Sequence, residues 1–122
     1  MMRFASSLVA LAAFVFASAC DPVVNCTLEA RSSVTANVDD DAGAPVTQAT
    51  VRFAVDGGEP QDCDDRDDGS YVCGFEIRGD FVITAEKSGH DPSEATATIG
   101  ETDDGCHVES QLVRLILIRQ FG

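Results

Sequence analysis

The chain has 122 residues, of which eight are Lys or Arg and 21 are Asp or Glu, giving a formal charge of −13. So acidic a surface repels phosphate backbones and anionic headgroups, which excludes nucleic acid as a partner and suits a solvated, exported domain. The length supports one domain with one core.

The first element is N-terminal. Met1, Met2 and Arg3 precede an apolar run over residues 5–16, and Ala17, Ser18 and Ala19 lead to Cys20. A charged start, a short apolar centre and a small-residue exit are what an export channel and its peptidase need, while about twelve apolar residues are too few to span a ~30 Å bilayer core. Residues 1–19 therefore read as a removable signal peptide. Its loss takes Arg3 with it and leaves seven basic residues against 21 acidic ones, a charge of −14. The junction also resembles a bacterial lipobox, in which the cysteine is acylated and becomes the mature N-terminus. Ala17 stands where a lipobox usually has Leu, and the same small residues suit ordinary secretion, which is the alternative. The cysteine count favours the lipoprotein: with five cysteines, lipidating Cys20 removes the odd one and leaves four to pair in an oxidising compartment.

Residues 20–31 read as a lipidated tether and 32–122 as the folded domain. Period-two alternation places Val34, Ala36 and Val38 on one face of a first strand and Val51, Phe53 and Val55 on one face of a second, joined across residues 39–45. Gly57-Gly58 offers a tight hairpin turn. A short strand through Cys63, a turn over residues 64–69 and a strand carrying Tyr71, Cys73, Phe75 and Ile77 follow. Gly79-Asp80 breaks the chain before Phe81, Ile83 and Ala85 alternate, and Ala95, Ala97 and Ile99 mark another strand. The last strand, within residues 107–119, is apolar at Leu112, Val113, Leu115, Ile116, Leu117 and Ile118, which predicts cover on both faces with Arg114 and Arg119 held outward beside acidic loops. No segment after Cys20 holds a helical period long enough to compete. The expected class is all-β, an antiparallel sandwich of about seven strands.

Four cysteines allow three pairings. Cys63 and Cys73 flank a Gly-containing turn on adjacent antiparallel strands and face each other, and Cys26 then pairs with Cys106. By loop entropy such bridges are worth about 3 and 4 to 5 kcal/mol.

The residues also carry a family resemblance. Ser33-Val34-Thr35-Ala36-Asn37-Val38-Asp39-Asp40, Gly43-Ala44-Pro45-Val46, Ala49-Thr50-Val51, Asp68-Gly69-Ser70-Tyr71, Gly79-Asp80-Phe81-Val82-Ile83-Thr84-Ala85 and Ser88-Gly89-His90 follow in the order of the carboxypeptidase regulatory-like domain. That family is a transthyretin-like, Ig-like β-sandwich, and the resemblance covers about residues 32 to 118. His90 departs from its usual aromatic. The four cysteines with Cys106-His107-Val108 further resemble a variety found in small bacterial envelope lipoproteins. The resemblance implies an accessory or adhesive module without catalytic residues. Physics accounts for its motifs: Gly43 and Gly69 permit positive φ, Pro45 stiffens the start of the second strand, and Tyr71 sends its ring into the core while its hydroxyl stays wet.

A search for chemistry agrees with this expectation. The sequence has no Gly-x-Ser-x-Gly, His-Glu-x-x-His, Gly-rich phosphate loop or Cys-x-x-Cys. His90 and His107 lack a second ligand at zinc spacing and read as solvent-facing or turn histidines. Carbohydrate binding wants exposed aromatics, yet there is no Trp and one Tyr. Calcium has abundant oxygen ligands in Asp39-Asp40-Asp41 and in Asp62, Asp64, Asp65, Asp67 and Asp68, but the spacing before Gly43 and Gly69 is wrong for an alternating calcium loop. The expected function is a non-catalytic, membrane-anchored envelope module that binds an envelope protein or polysaccharide and needs no cofactor. The alternative is a weak calcium-dependent adhesive or carbohydrate-binding module.

Overall fold

The structure is a computed structural model and describes residues 26–120. The strands are β1 (Ser32–Asp40), β2 (Thr50–Val55), β3 (Gln61–Asp62), β4 (Asp64–Asp65), β5 (Ser70–Phe75), β6 (Gly79–Glu86), β7 (Ser93–Ile99) and β8 (Gln111–Leu117). The described residues contain no helix. Alternation sorts the faces: Val34, Ala36 and Val38 of β1, Val51 and Phe53 of β2, Tyr71 and Cys73 of β5, and Phe81, Ile83 and Ala85 of β6 are all buried. Phe53 and Phe81 stack with ring centroids 5.5 Å apart, filling the middle of the second sheet's inner face.

Two four-stranded sheets result, ordered β4-β5-β1-β8 and β3-β2-β6-β7. They enclose a single core and form a sandwich. Five ladders are antiparallel and one, β1 with β8, is parallel, pairing Val34 with Gln111 and Asp40 with Leu117. Both of those strands therefore start at the end where the tether arrives, here called the tether end. The segments 41–49, 66–69 and 87–92 lie at the far end.

The count exceeds the expected seven because the segment through Cys63 divides. β3 pairs with β2 in one sheet and β4 pairs with β5 in the other. Between them, the Cys63 N–H donates to the Val51 carbonyl at 2.8 Å while its sulfur is bonded to Cys73. One acidic strap thus covers this flank of both sheets, in the manner of short charged edge strands that block pairing with other chains.

On the opposite flank β7 and β8 meet through isolated bridges, His90 with Arg119 and Glu101 with Val108. Both bridges belong to one antiparallel register. Continued inward, it would set core-packed Ala97 opposite exposed Leu112. Because side chains alternate with period two, such a ladder would put one strand's core set against the other's solvent set. The seam is therefore fastened at its ends and left unzipped between them.

Turn chemistry follows the sequence. Asp40 Oδ1 accepts the N–H groups of Ala42 and Ala44 at 2.8 and 2.9 Å, closing the turn after β1. Gly69 has φ +91°, and a Cβ there would come within 2.5 Å of Pro45 Cβ, so no other residue fits.

Three expectations change. Phe75 is 42% exposed, because Gly74 at φ +83° and Glu76 at φ +54° break the alternation after Cys73. The Tyr71 hydroxyl is not wet: it donates to the Val46 carbonyl at 2.8 Å and accepts the Ala49 N–H at 3.1 Å, and its burial raises the phenol pKa. The last strand is not covered on both faces. β8 is an edge strand with the opposing sheet against one side only, so Leu115 and Leu117 are buried while Leu112, Ile116 and Ile118 are 67, 46 and 50% exposed. Arg114 and Arg119 do point outward, pairing with Asp39 and Asp41.

Two substitution experiments test this packing. Tyr71→Phe strands a buried carbonyl and amide and should cost about 1–3 kcal/mol in urea denaturation. Leu115→Asp should destabilise by several kcal/mol, an order set by burying an unpaired charge, whereas Ile116→Asp should stay within about 0.5 kcal/mol of wild type. Equal losses in the latter pair would contradict the one-sided burial of β8.

Candidate functional site

Polar side chains converge at the tether end around His107. The Cys26–Cys106 bond, spanning 80 positions with Cα atoms 5.2 Å apart, brings the tether against the loop before β8. Residues beside bridged cysteines are forced together, so Thr27 meets His107. His107 is 5% exposed. Its Nε2 lies 2.7 Å from Thr27 Oγ1, and its Nδ1 bonds the Glu76 carboxylate.

Glu76 is held from several sides. Its Oε1 accepts the Val108 N–H at 2.9 Å, its Oε2 lies 3.3 Å from the Arg31 N–H, and its own N–H donates to the Arg31 carbonyl at 2.9 Å. These bonds hold Glu76 at its positive φ, an uncommon conformation for a residue with a side chain. They also explain its acidity: the His107 hydrogen bond, followed by those from Val108 and Arg31, lowers the Glu76 pKa against the opposing effect of desolvation. Beneath the ring, residues 102–107 form a self-supporting turn. Thr102 N–H donates to the His107 carbonyl at 2.8 Å, and Asp104 accepts the Cys106 N–H at 3.0 Å. Next to it, the buried Ser33 hydroxyl donates to the Ile77 carbonyl and accepts the Ile77 N–H, so one side chain stands in for a strand partner.

A carboxylate only accepts, so Nδ1 carries the proton shared with Glu76 and Nε2 faces the Thr27 hydroxyl. The order hydroxyl, imidazole, carboxylate is one that hydrolases use to activate a nucleophile. Here the hydroxyl is also within 3.2 Å of Glu29 Oε1. Two shallow depressions, of about 320 and 280 Å³, lie elsewhere, one lined by Thr50, Lys87 and His90 and the other by Val51, Arg52 and Asp62. The bonds around His107 join the tether, the β5–β6 turn and the loop before β8. Their structural effect is a clamp.

The site residues inferred from sequence fall as follows. Cys63 is bonded to Cys73 and Cys26 to Cys106. Cys20 lies outside the described residues, as does the signal peptide. His90 is a surface histidine whose Nδ1 lies 3.1 Å from the Ser88 carbonyl. His107 does stand at the end of the 102–107 turn, as one of its two readings had it, but it is not solvent-facing, being buried beside the Cys26–Cys106 bridge and bonded to Glu76. Among the acidic residues, Asp40, Asp65 and Asp68 direct carboxylate oxygens at backbone N–H groups of their own turns; the Ala44 N–H lowers the pKa of Asp40, and the Ser70 hydroxyl followed by the Ser70 N–H lowers that of Asp68. The described residues contain no group of three side chains placed to hold a metal ion. Sequence reasoning missed Thr27 and Glu76. Thr27 was implicit in the Cys26–Cys106 pairing, but no local pattern marks Glu76.

Two disulfides belong to an oxidising, extracytosolic compartment. No helix among the described residues is long and apolar enough to cross a membrane. Comparison with protein-family models and with curated proteins gives no match.

The depressed Glu76 pKa sets the sign of a pH effect. Glu76 binds a proton less readily folded than unfolded, so its contribution is present above the ordinary carboxylate pKa and is lost as pH falls through the lower folded value. Melting temperature should therefore fall on acidification through that window, and Glu76→Gln should flatten that part of the profile. An unchanged slope in the variant would show that the clamp carries no such linkage.

Proposed function

We propose that this chain is an envelope lipoprotein, acylated at Cys20, whose sandwich acts as a non-catalytic binding or structural module of the carboxypeptidase regulatory-like kind. The observation that carries this reading is the clamp. A covalent bond at Cys26 and a buried imidazole bonded to a half-buried carboxylate fasten the chain six residues beyond the proposed acylation site. Load transmitted through an anchor reaches the core at that point, and there the module is reinforced. The partner class is an envelope protein or polysaccharide met through the loops, and the acidic surface keeps nucleic acid away.

The calcium-dependent adhesive reading draws only on the number of aspartates, and the oxygens of Asp40 and Asp68 already serve their turns. A rise in melting temperature on adding calcium would favour it, since a ligand bound only by the native state stabilises that state.

Mass spectrometry of the N-terminal peptide tests the anchor directly. The expected product begins at a lipid-modified Cys20 and fractionates with membranes, and crosslinking in the envelope followed by purification should then yield a defined partner. An unmodified Cys20 in the soluble fraction would mean plain secretion.

A further inference from the structure

We propose that the outward face of β8 is a lipid-contact surface that lays the sandwich along the bilayer holding its anchor. The proposal rests on the anchored reading above. Of six large apolar side chains exposed among the described residues, Leu112, Ile116 and Ile118 lie along this one strand and its exit. Arg114 stands between them on the same face, and Arg119 follows.

Charge separates this surface from the rest of the chain. Residues 110–120 contain two arginines and no carboxylate, in a chain of net charge −13. Asp39 and Asp41 beside the strip are paired with Arg114 and Arg119, and the Asp91 carboxylate accepts from the Gln120 amide, so each of these acids is engaged locally. The opposite edge of the same sheet is β4, Asp64–Asp65, followed by Asp67 and Asp68. A bilayer surface therefore meets an apolar, charge-compensated strip on the β8 side and a cluster of carboxylates on the β4 side. Arginines flanking aliphatic side chains suit the boundary, because their stems can lie along the apolar layer while the guanidinium groups reach the headgroups.

Reach agrees with this placement. Five residues separate Cys20 from Cys26, six Cα steps that span at most about 20 Å. Cys26 is fastened to Cys106 at the end where β8 starts, and β8 then runs for about 20 Å toward the far end. The short lead brings the start of β8 to the membrane, and laying the strand flat brings Ile116 and Ile118 to it as well. Strand addition by another protein is disfavoured on this flank, because the edge of β8 is engaged at both ends, where the Asp91 N–H donates to the Ile118 carbonyl and the Glu109 N–H to the Gly100 carbonyl.

The chain has no Trp, so single substitutions report cleanly. The exported protein is placed on phosphatidylcholine vesicles containing bromine-labelled acyl chains. Its native lipid serves if Cys20 is acylated, and coupling of the Cys20 thiol to a maleimide-lipid serves if mass spectrometry finds it unmodified. The loss of the anchor reading is thus seen separately from the loss of the lipid-contact surface. Ile116→Trp should show blue-shifted emission that is quenched by the brominated lipid, whereas Asp64→Trp on the opposite edge should show neither. Red emission and no quenching from Ile116→Trp would overturn the proposal. A blue shift without quenching would also overturn it, by showing that a second copy of the chain covers the strip. Equal quenching at both positions would remove the orientation.

Discussion

The bond between Cys26 and Cys106 fixes a common origin for the first and last strands, and much of the architecture depends on it. β1 is paired on both sides, antiparallel to β5 and parallel to β8. A parallel pair drawn from the two ends of a domain requires the chain to come back to its starting point before the last strand forms, and closing so long a loop costs conformational entropy. The bond removes that freedom from the unfolded chain. It also seats the loop before β8 where His107 and Val108 reach Glu76, and it holds Thr27 over the imidazole. Buried Val108 carries the same order into the core.

The two flanks of the sandwich are managed differently. On one, a strap two residues wide on each side of Cys63 pairs with both sheets and is stapled to buried Cys73. On the other, β7 and β8 are fastened at their ends but held out of phase between them. A strand edge left open is an invitation to aggregate, and each flank answers it without closing a full barrel. The strap relies on charge and a covalent bond, the seam on a mismatch of phase.

Most of the inner faces could be read from sequence, because period-two alternation states directly which side chains share a side. The β1, β2 and β6 triplets, and the turn at Asp40 with its Gly43, were legible for that reason. The places where the reading failed share a cause as well. Phe75 followed an alternation that Gly74 and Glu76 interrupt, and a strand pattern carries no mark of a residue turned to positive φ. β8 reads as apolar on both sides, and whether an opposing layer covers its second side depends on strand order, which alternation does not encode. Glu76 is 31 positions from His107, and a single carboxylate in an acidic chain gives no local sign of its partner. The Tyr71 hydroxyl found its partners, the Val46 carbonyl as acceptor and the Ala49 N–H as donor, in a loop whose path depends on the turn at Asp40.

The parallel β1–β8 ladder also orders assembly in time. β2, β6 and β7 are joined by antiparallel ladders, and the sheet they form is complete once residue 99 is in place. The other sheet cannot finish, because the central strand's second neighbour begins at Gln111. Contacts of such high sequence separation are slow to form. A chain emerging N-terminus first therefore carries β1 with one side bare until residues 111–117 arrive, and during that interval Val34, Ala36 and Val38 lack the cover that Leu115 and Leu117 later help provide. Rapid completion of the C-terminal strand, more than any step in the second sheet, governs how long the nascent domain leaves its core open to other chains.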